Sequence, residues 1–266
     1  MKDPANDLER ALAVALRGPE GHPEFFRQAR ESVLVILVPY HPELDGTFTI
    51  RNGDTMAFTI WENPKGKFIP IFTSIERAQA AIKKTGAREN QYAVAEMKGK
   101  ELFRAIACQE YGVVINPASG TGGLFLDRKA ARMLADGTIL RPIPSGAQQQ
   151  GRVKIVEPAD YPTDFLQPLF RFLVGRPEVV AAWLFRQIEQ PDPARINYVF
   201  GLLVVCGNTE QLLQDFAVVA KSATRDEADF GVMIINSDEP AVAEIISKYP
   251  AFYAAPDYKA PSPLGE

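Results

Sequence analysis

The run from Tyr111 to Leu126, YGVVINPASGTGGLFL, places more demands on backbone geometry than any other part of this chain. It holds a β-branched apolar stretch, the turn-forming pair Asn116-Pro117, a loop of small residues from Ala118 to Gly123 and a second apolar stretch. Glycines at 120, 122 and 123 allow another backbone or a ligand to approach closely. Upstream, Lys67 to Ile82, KFIPIFTSIERAQAAI, reads as a strand that turns into a helix at Thr73-Ser74. Ser74 is suited to accept a hydrogen bond from the freed N–H groups of that helix, with Glu76 and Arg77 in its first turn. The two stretches together are expected to build one functional surface.

Around them the chain alternates helical and extended patterns. Leu8, Leu12, Ala15 and Leu16 recur at helical spacing, with Asn6 or Asp7 as cap and Gly18 as stop. A second helix is predicted from His22-Pro23-Glu24 to about Glu31, and SVLVILV (Ser32 to Val38) reads as a buried strand closed by Pro39. Phe48 to Ile50 and Met56 to Trp61 flank Asn52-Gly53-Asp54, a hairpin signal. A further turn at Asn63 to Gly66 leads into the strand Phe68 to Phe72. Tyr92 to Ala95 and Val113 to Ile115 read as strands, Lys100 to Cys108 as a helix, and Asp127 to Ala135 as a helix ended by Gly137. Prolines, glycines and three glutamines in LRPIPSGAQQQGRV mark a linker.

The second half then reads strand (Val153 to Val156), helix (Asp164 to Val174), and two strands (Val179 to Ile188, Ile196 to Val205). A helix (Thr209 to Ala223), a strand (Phe230 to Ile235) and a last helix (Glu239 to Lys248) follow. The expected class is α+β: a mixed α/β N-terminal domain (1–139), a linker (140–152), a ferredoxin-like βαββαβ domain with helices on one face (153–256), and a tail (257–266).

With FIPIFTSIERA and GVVINPASG in view, the chain resembles the SseB family, the enhanced serine sensitivity proteins. RPEVVAAWLFRQ, INYVFGLLVV and FGVMIIN extend the resemblance into the second half. It implies an SseB N-terminal-type domain followed by an SseB C-terminal-type domain. The family is named for a phenotype and has no established reaction, so the resemblance implies no catalytic residues.

The balance of 29 basic and 33 acidic residues, a net charge of −4, argues against a nucleic-acid partner. Charges interleave the apolar residues of the first eighteen positions, unlike a signal peptide, and no apolar run is long enough to span a bilayer, so a cytoplasmic protein is expected. The loop at 116–123 lacks the Gly-Lys-Ser/Thr of a P-loop and the GxGxxG dinucleotide fingerprint. Its alternatives are a tight connection that needs small residues, or a groove beside Ser74 for a carboxylate, phosphate or peptide. Candidate lining residues are Phe72, Ser74, Arg77, Asn116, Pro117, Ser119, Gly120, Gly122 and Gly123.

His22-Pro23-Glu24 and His41-Pro42-Glu43 contain both histidines, but their proline spacing suits turns better than metal ligation. No cofactor or metal is expected. Neither Ser74 nor Ser119 sits in GxSxG, which weakens a hydrolase reading. Cys108 and Cys206 read as buried apolar residues. The expected function is non-enzymatic binding of a protein or small anionic ligand through the N-terminal domain, with self-association through the C-terminal domain as a further expectation. The alternatives are an amino-acid sensor related to serine and, behind it, an uncharacterised hydrolase.

Overall fold

The computed structural model describes residues 6–40, 48–49, 57–64, 66–86, 91–118, 123–141, 153–156, 158, 163–189, 196–205, 207–223, 230–236 and 245–258. The chain forms an α+β fold of two compact units, Met1–Leu140 and Arg141–Glu266.

In the first unit, helices α1 (Asp7–Ala15) and α2 (His22–Glu31) precede strand β1 (Val33–Pro39). Then come β2 (Phe48–Thr49), β3 (Trp61–Asn63), β4 (Gly66–Phe72) and helix α3 (Ile75–Thr85). Strand β5 (Tyr92–Lys98), helix α4 (Gly99–Ala107), β6 (Gly112–Ile115), β7 (Leu124–Leu126) and α5 (Arg128–Asp136) complete it. The sheet order is β2-β5-β1-β4-β6-β7, with β3 paired to the start of β4.

Strand β1 is the centre of this sheet, and its sequence shows why. All five residues from Leu34 to Val38 are buried, because both faces of the strand are covered. Val35 and Leu37 pack with Phe72, Ala78 and Ala81 beneath α3. The alternate residues Leu34 and Ile36 face the other side, where α4 contacts β1 and β5 and α5 contacts β6. Each such side chain contributes about 1.5–3 kcal/mol by leaving water. Gly137 ends α5 in the left-handed conformation at φ 80°, which glycine adopts without a Cβ penalty.

The hairpin expected around 52–54 falls outside the described residues, and the described strand pairing differs from it. Phe48–Thr49 pairs parallel with β5, and Trp61–Asn63 pairs with β4 across the Asn63–Gly66 turn. β2 therefore lies on one side of β1, and β3 and β4 on the other.

The second unit contains β8 (Val153–Val156), α6 (Thr163–Val174), β9 (Val179–Glu189), β10 (Ile196–Val204), α7 (Thr209–Ala223), β11 (Phe230–Ile235) and β12 (Tyr253–Ala254). The βαββαβ element order is as expected, but the strand order departs from a ferredoxin-like sheet, in which the first strand lies between the third and fourth. Here β8 pairs antiparallel with β9, β9 with β10, and β10 parallel with β11. Strand β9 is eleven residues long. Its outer edge takes β8 at residues 186–189 and β12 at residues 181–182, while α7 returns the chain so that β11 lies parallel beside β10.

Both faces of this sheet are covered. Phe165, Phe172, Phe200, Phe216 and Phe230 form an aromatic core under α6 and α7, with ring pairs such as Phe200–Phe216 at 5.1 Å. On the other face, Trp183 and Phe185 pack with Ile246 of the helical stretch 245–248 and with Tyr249 and Tyr258. The Trp183 Nε1–H donates to the Tyr249 carbonyl at 3.1 Å, and the Trp183 ring meets that of Tyr258 edge-on at 6.1 Å, so the start of the expected tail packs on the sheet.

Candidate functional site

The carboxyl ends of β4 and β6 lie side by side. These strands are parallel neighbours, with Ile69 opposite Val113 and Ile71 opposite Ile115. Their connections leave in opposite directions: β4 runs through α3 to β5 beyond β1, whereas β6 turns back into β7 at the other edge. Open α/β sheets place ligands outside the carboxyl ends of strands at such a point.

Thr73, the residue after β4, occupies the centre of this place, and each of its polar atoms is used. Its N–H donates to Asn116 Oδ1 at 3.0 Å, and its hydroxyl accepts from Asn116 Nδ2 at 2.8 Å. The hydroxyl in turn donates to Glu9 Oε1 at 2.9 Å, and the Thr73 carbonyl accepts from Asn6 Nδ2 at 3.4 Å. Asn116 reaches this position because it bends sharply after β6. Its φ is 52°, a left-handed value that asparagine tolerates, and its N–H donates to the Ile71 carbonyl at 2.7 Å. Only 1% of Asn116 is exposed.

Glu9, brought in by α1, closes the cluster. Arg77 Nε donates to its Oε1 at 2.8 Å and Arg77 Nη2 to its Oε2 at 2.7 Å, a bidentate pair. The Glu9 side chain is 4% exposed and that of Arg77 13%. Hydrogen bonding to Glu9 is the main cause that raises the Arg77 pKa above its ordinary value.

Ser74 caps α3 as expected, its Oγ accepting from the Arg77 N–H at 3.3 Å. Its hydroxyl also hydrogen-bonds Glu76, which with the Glu76 backbone holds that exposed carboxyl below the usual carboxylate range.

Of the residues nominated from sequence, Ser74, Arg77 and Asn116 meet around Thr73. Phe72 is fully buried, with the Trp61 ring set edge-on at 6.1 Å, so its side chain belongs to the core. Pro117 is buried behind Asn116, and Ala118 is exposed at φ 57°. Gly123 is exposed, and a Cβ there would lie 2.7 Å from Val114 Cγ1, so the return of the hairpin against β6 requires its small size. Ser119, Gly120 and Gly122 lie outside the described residues, as do His41 and Cys206.

Three residues were not anticipated. Glu9 and Thr73 are recognisable only through partners 43 to 68 residues away, although an acid placed beside Leu8 on the inward side of α1 was a weak signal. Phe125, the centre of the edge strand β7, is 59% exposed next to the Asn116 turn. The strand alternation turns Phe125 outward between Leu124 and the buried Leu126.

Two other residues were placed differently from expectation or outside the cluster. Cys108 is exposed at the end of α4 rather than buried, because the helix turns its inward face through Leu102, Phe103 and Ile106. His22 begins α2 with its ring 5.4 Å from that of Phe26. Burial pushes its pKa below the ordinary histidine value, while a hydrogen bond to the Ala15 backbone and the nearby Glu20 oppose the shift.

No helix among the described residues is long and apolar enough to cross a membrane. The model of the SseB protein N-terminal domain matches residues 8–133, and that of the SseB protein C-terminal domain matches residues 147–254. No curated protein and no solved structure matches the chain. The N-terminal match contains every residue of the Thr73 cluster from Leu8 onwards, and the two matches follow one another over most of the length, so the chain belongs to the SseB family.

Proposed function

We propose that this protein is a non-enzymatic binding protein that engages a partner protein through its N-terminal unit, on the surface around β7, the Asn116 turn and the start of α3. One observation carries the reading. The polar side chains gathered at the strand ends satisfy one another, and beside them Phe125 stands 59% exposed on an edge strand. A catalytic site needs polar groups directed at a substrate, whereas an exposed aromatic side chain at a sheet edge suits a protein contact. We read the protein as cytoplasmic, with a partner other than nucleic acid, in keeping with its net charge of −4.

The amino-acid sensor suggested by the family's serine phenotype would need a seat for a carboxylate. The Thr73 hydroxyl and the Arg77 guanidinium are the natural components of such a seat, and the Glu9 carboxylate already holds both. This favours a protein partner over a free amino acid.

Affinity capture with wild-type and Phe125→Ser baits, compared by quantitative mass spectrometry, tests the proposal. A partner enriched on the wild type should fall about tenfold or more on the variant, the loss expected for an aromatic anchor at an interface. Retention of every partner by the variant would refute this surface. Heat released on titration with serine would favour the sensor instead.

A further inference from the structure

Helix α6 is apolar on more than the side it buries. Leu169 and Phe172 face the core, yet Phe170 is 45% and Val174 63% exposed on the outward side. With the exposed Thr163 and Gln167 they recur at spacings of four, three and four residues and form one stripe along the helix. The Phe170 ring is held there by the ring of Tyr253, set edge-on at 5.7 Å, so it stands as an ordered anchor that loses little freedom on binding.

Two charged residues indicate what fits this face. Asp164 and Arg171, both exposed, lie seven residues apart and therefore two turns apart on one flank of the stripe. In an antiparallel pair of identical helices each flank meets the same flank of its partner. A twofold axis midway between the two residues then sets Asp164 against the second copy's Arg171, and Arg171 against the second copy's Asp164.

The same axis suits the apolar stripe. It brings Phe170 level with the gap between Thr163 and Gln167 of the second copy, within about 3 Å of each along the helix. Helices pack by seating a large side chain in such a gap. A slip of one turn would move the opposite charges about 5 Å apart, so charge and shape select one register.

We propose that α6 is a self-association surface, with two copies of this protein packed antiparallel about a twofold axis between Asp164 and Arg171. The surface lies on the second unit and stands independently of the partner surface around Phe125. Because the contact is one helix face, a reversible dimer of micromolar dissociation constant is expected.

Sedimentation equilibrium of the full chain over a range of concentrations tests the proposal, with Asp164→Arg and Arg171→Asp measured alone and mixed. Either variant alone would face itself with two like-charge contacts, and its dimer should be about tenfold or more weaker than the wild type. Mixed, the two variants regain opposite charges at both contacts and should pair within about threefold of the wild-type affinity. These differences should shrink as salt is raised. Phe170→Ser should weaken the dimer about tenfold or more while the far-ultraviolet spectrum is retained. A wild type that stays monomeric at every concentration would overturn the proposal. So would a dimer that both charge variants leave unchanged, or a mixture no more dimeric than its components.

Discussion

Replacing Glu9 by glutamine keeps the shape of the side chain and removes its charge. The native carboxylate receives two guanidinium donors at 2.8 and 2.7 Å and the Thr73 hydroxyl at 2.9 Å. With the Arg77 side chain only 13% exposed, the variant leaves a largely desolvated guanidinium without its counter-charge. Breaking a buried pair from one side costs about 3–5 kcal/mol. For a unit of this length roughly 3 °C are lost per kcal/mol, so its melting temperature should fall by roughly 10–15 °C. The double variant Glu9→Leu, Arg77→Met removes both charges with their desolvation and should recover to within about 2 kcal/mol of the wild type.

Thermal unfolding followed by circular dichroism measures the loss, and hydrogen exchange in α1 assigns it to the N-terminal unit. A loss below about 1 kcal/mol for Glu9→Gln would mean that the pair behaves as a solvated surface pair, and the buried-cluster argument would fail. A double variant no more stable than the single one would place the cost in the lost Thr73 contact instead of the stranded charge.

Three further outcomes follow from the same unit. Asn116→Ala should destabilise by about 3 kcal/mol or more, since it leaves the buried Thr73 N–H unpaired and forces alanine into left-handed backbone. Asn116→Gly should cost about 1 kcal/mol less than Asn116→Ala in urea unfolding, because only the backbone strain is relieved. His22, whose folded pKa is depressed by burial, binds fewer protons folded than unfolded. Its contribution is therefore complete above the unfolded value of about 6.5 and is lost as pH falls towards the folded value, at up to ~1.4 kcal/mol per pH unit. Urea titrations between these limits should show that slope in the wild type and a flatter profile in His22→Gln.

Much of the N-terminal architecture was legible because its signals are local. Ser74 announces the start of α3 by its hydroxyl, Gly137 the end of α5 by its freedom at positive φ, and the unbroken apolar run at Leu34–Val38 a strand covered on both faces. Asn116 was legible as a turn and then proved to be a buried hydrogen-bonding residue as well. What local pattern could not disclose was pairing at a distance. Nothing around Glu9 encodes Arg77, and nothing within Val179–Glu189 indicates that its outer edge is shared by β8 and β12. Cys108 was misread for a related reason: composition gave its apolar neighbours, but the helix phase sets which of them turn inward.

The separation between Glu9 and its partners bears on the order in which the molecule assembles. Contacts between residues 64 and 68 positions apart close a loop whose entropic cost is about 4 kcal/mol before any strand has formed. With no sheet formed these groups remain solvated, and a solvated ion pair contributes about 1 kcal/mol or less. Helix α1 therefore cannot be seated by its own polar contacts. It must wait until β4 has been synthesised and β6 has delivered Asn116 to orient the Thr73 hydroxyl. Helix α1 thus serves as a clasp on its unit, set only when β4 and β6 are in place.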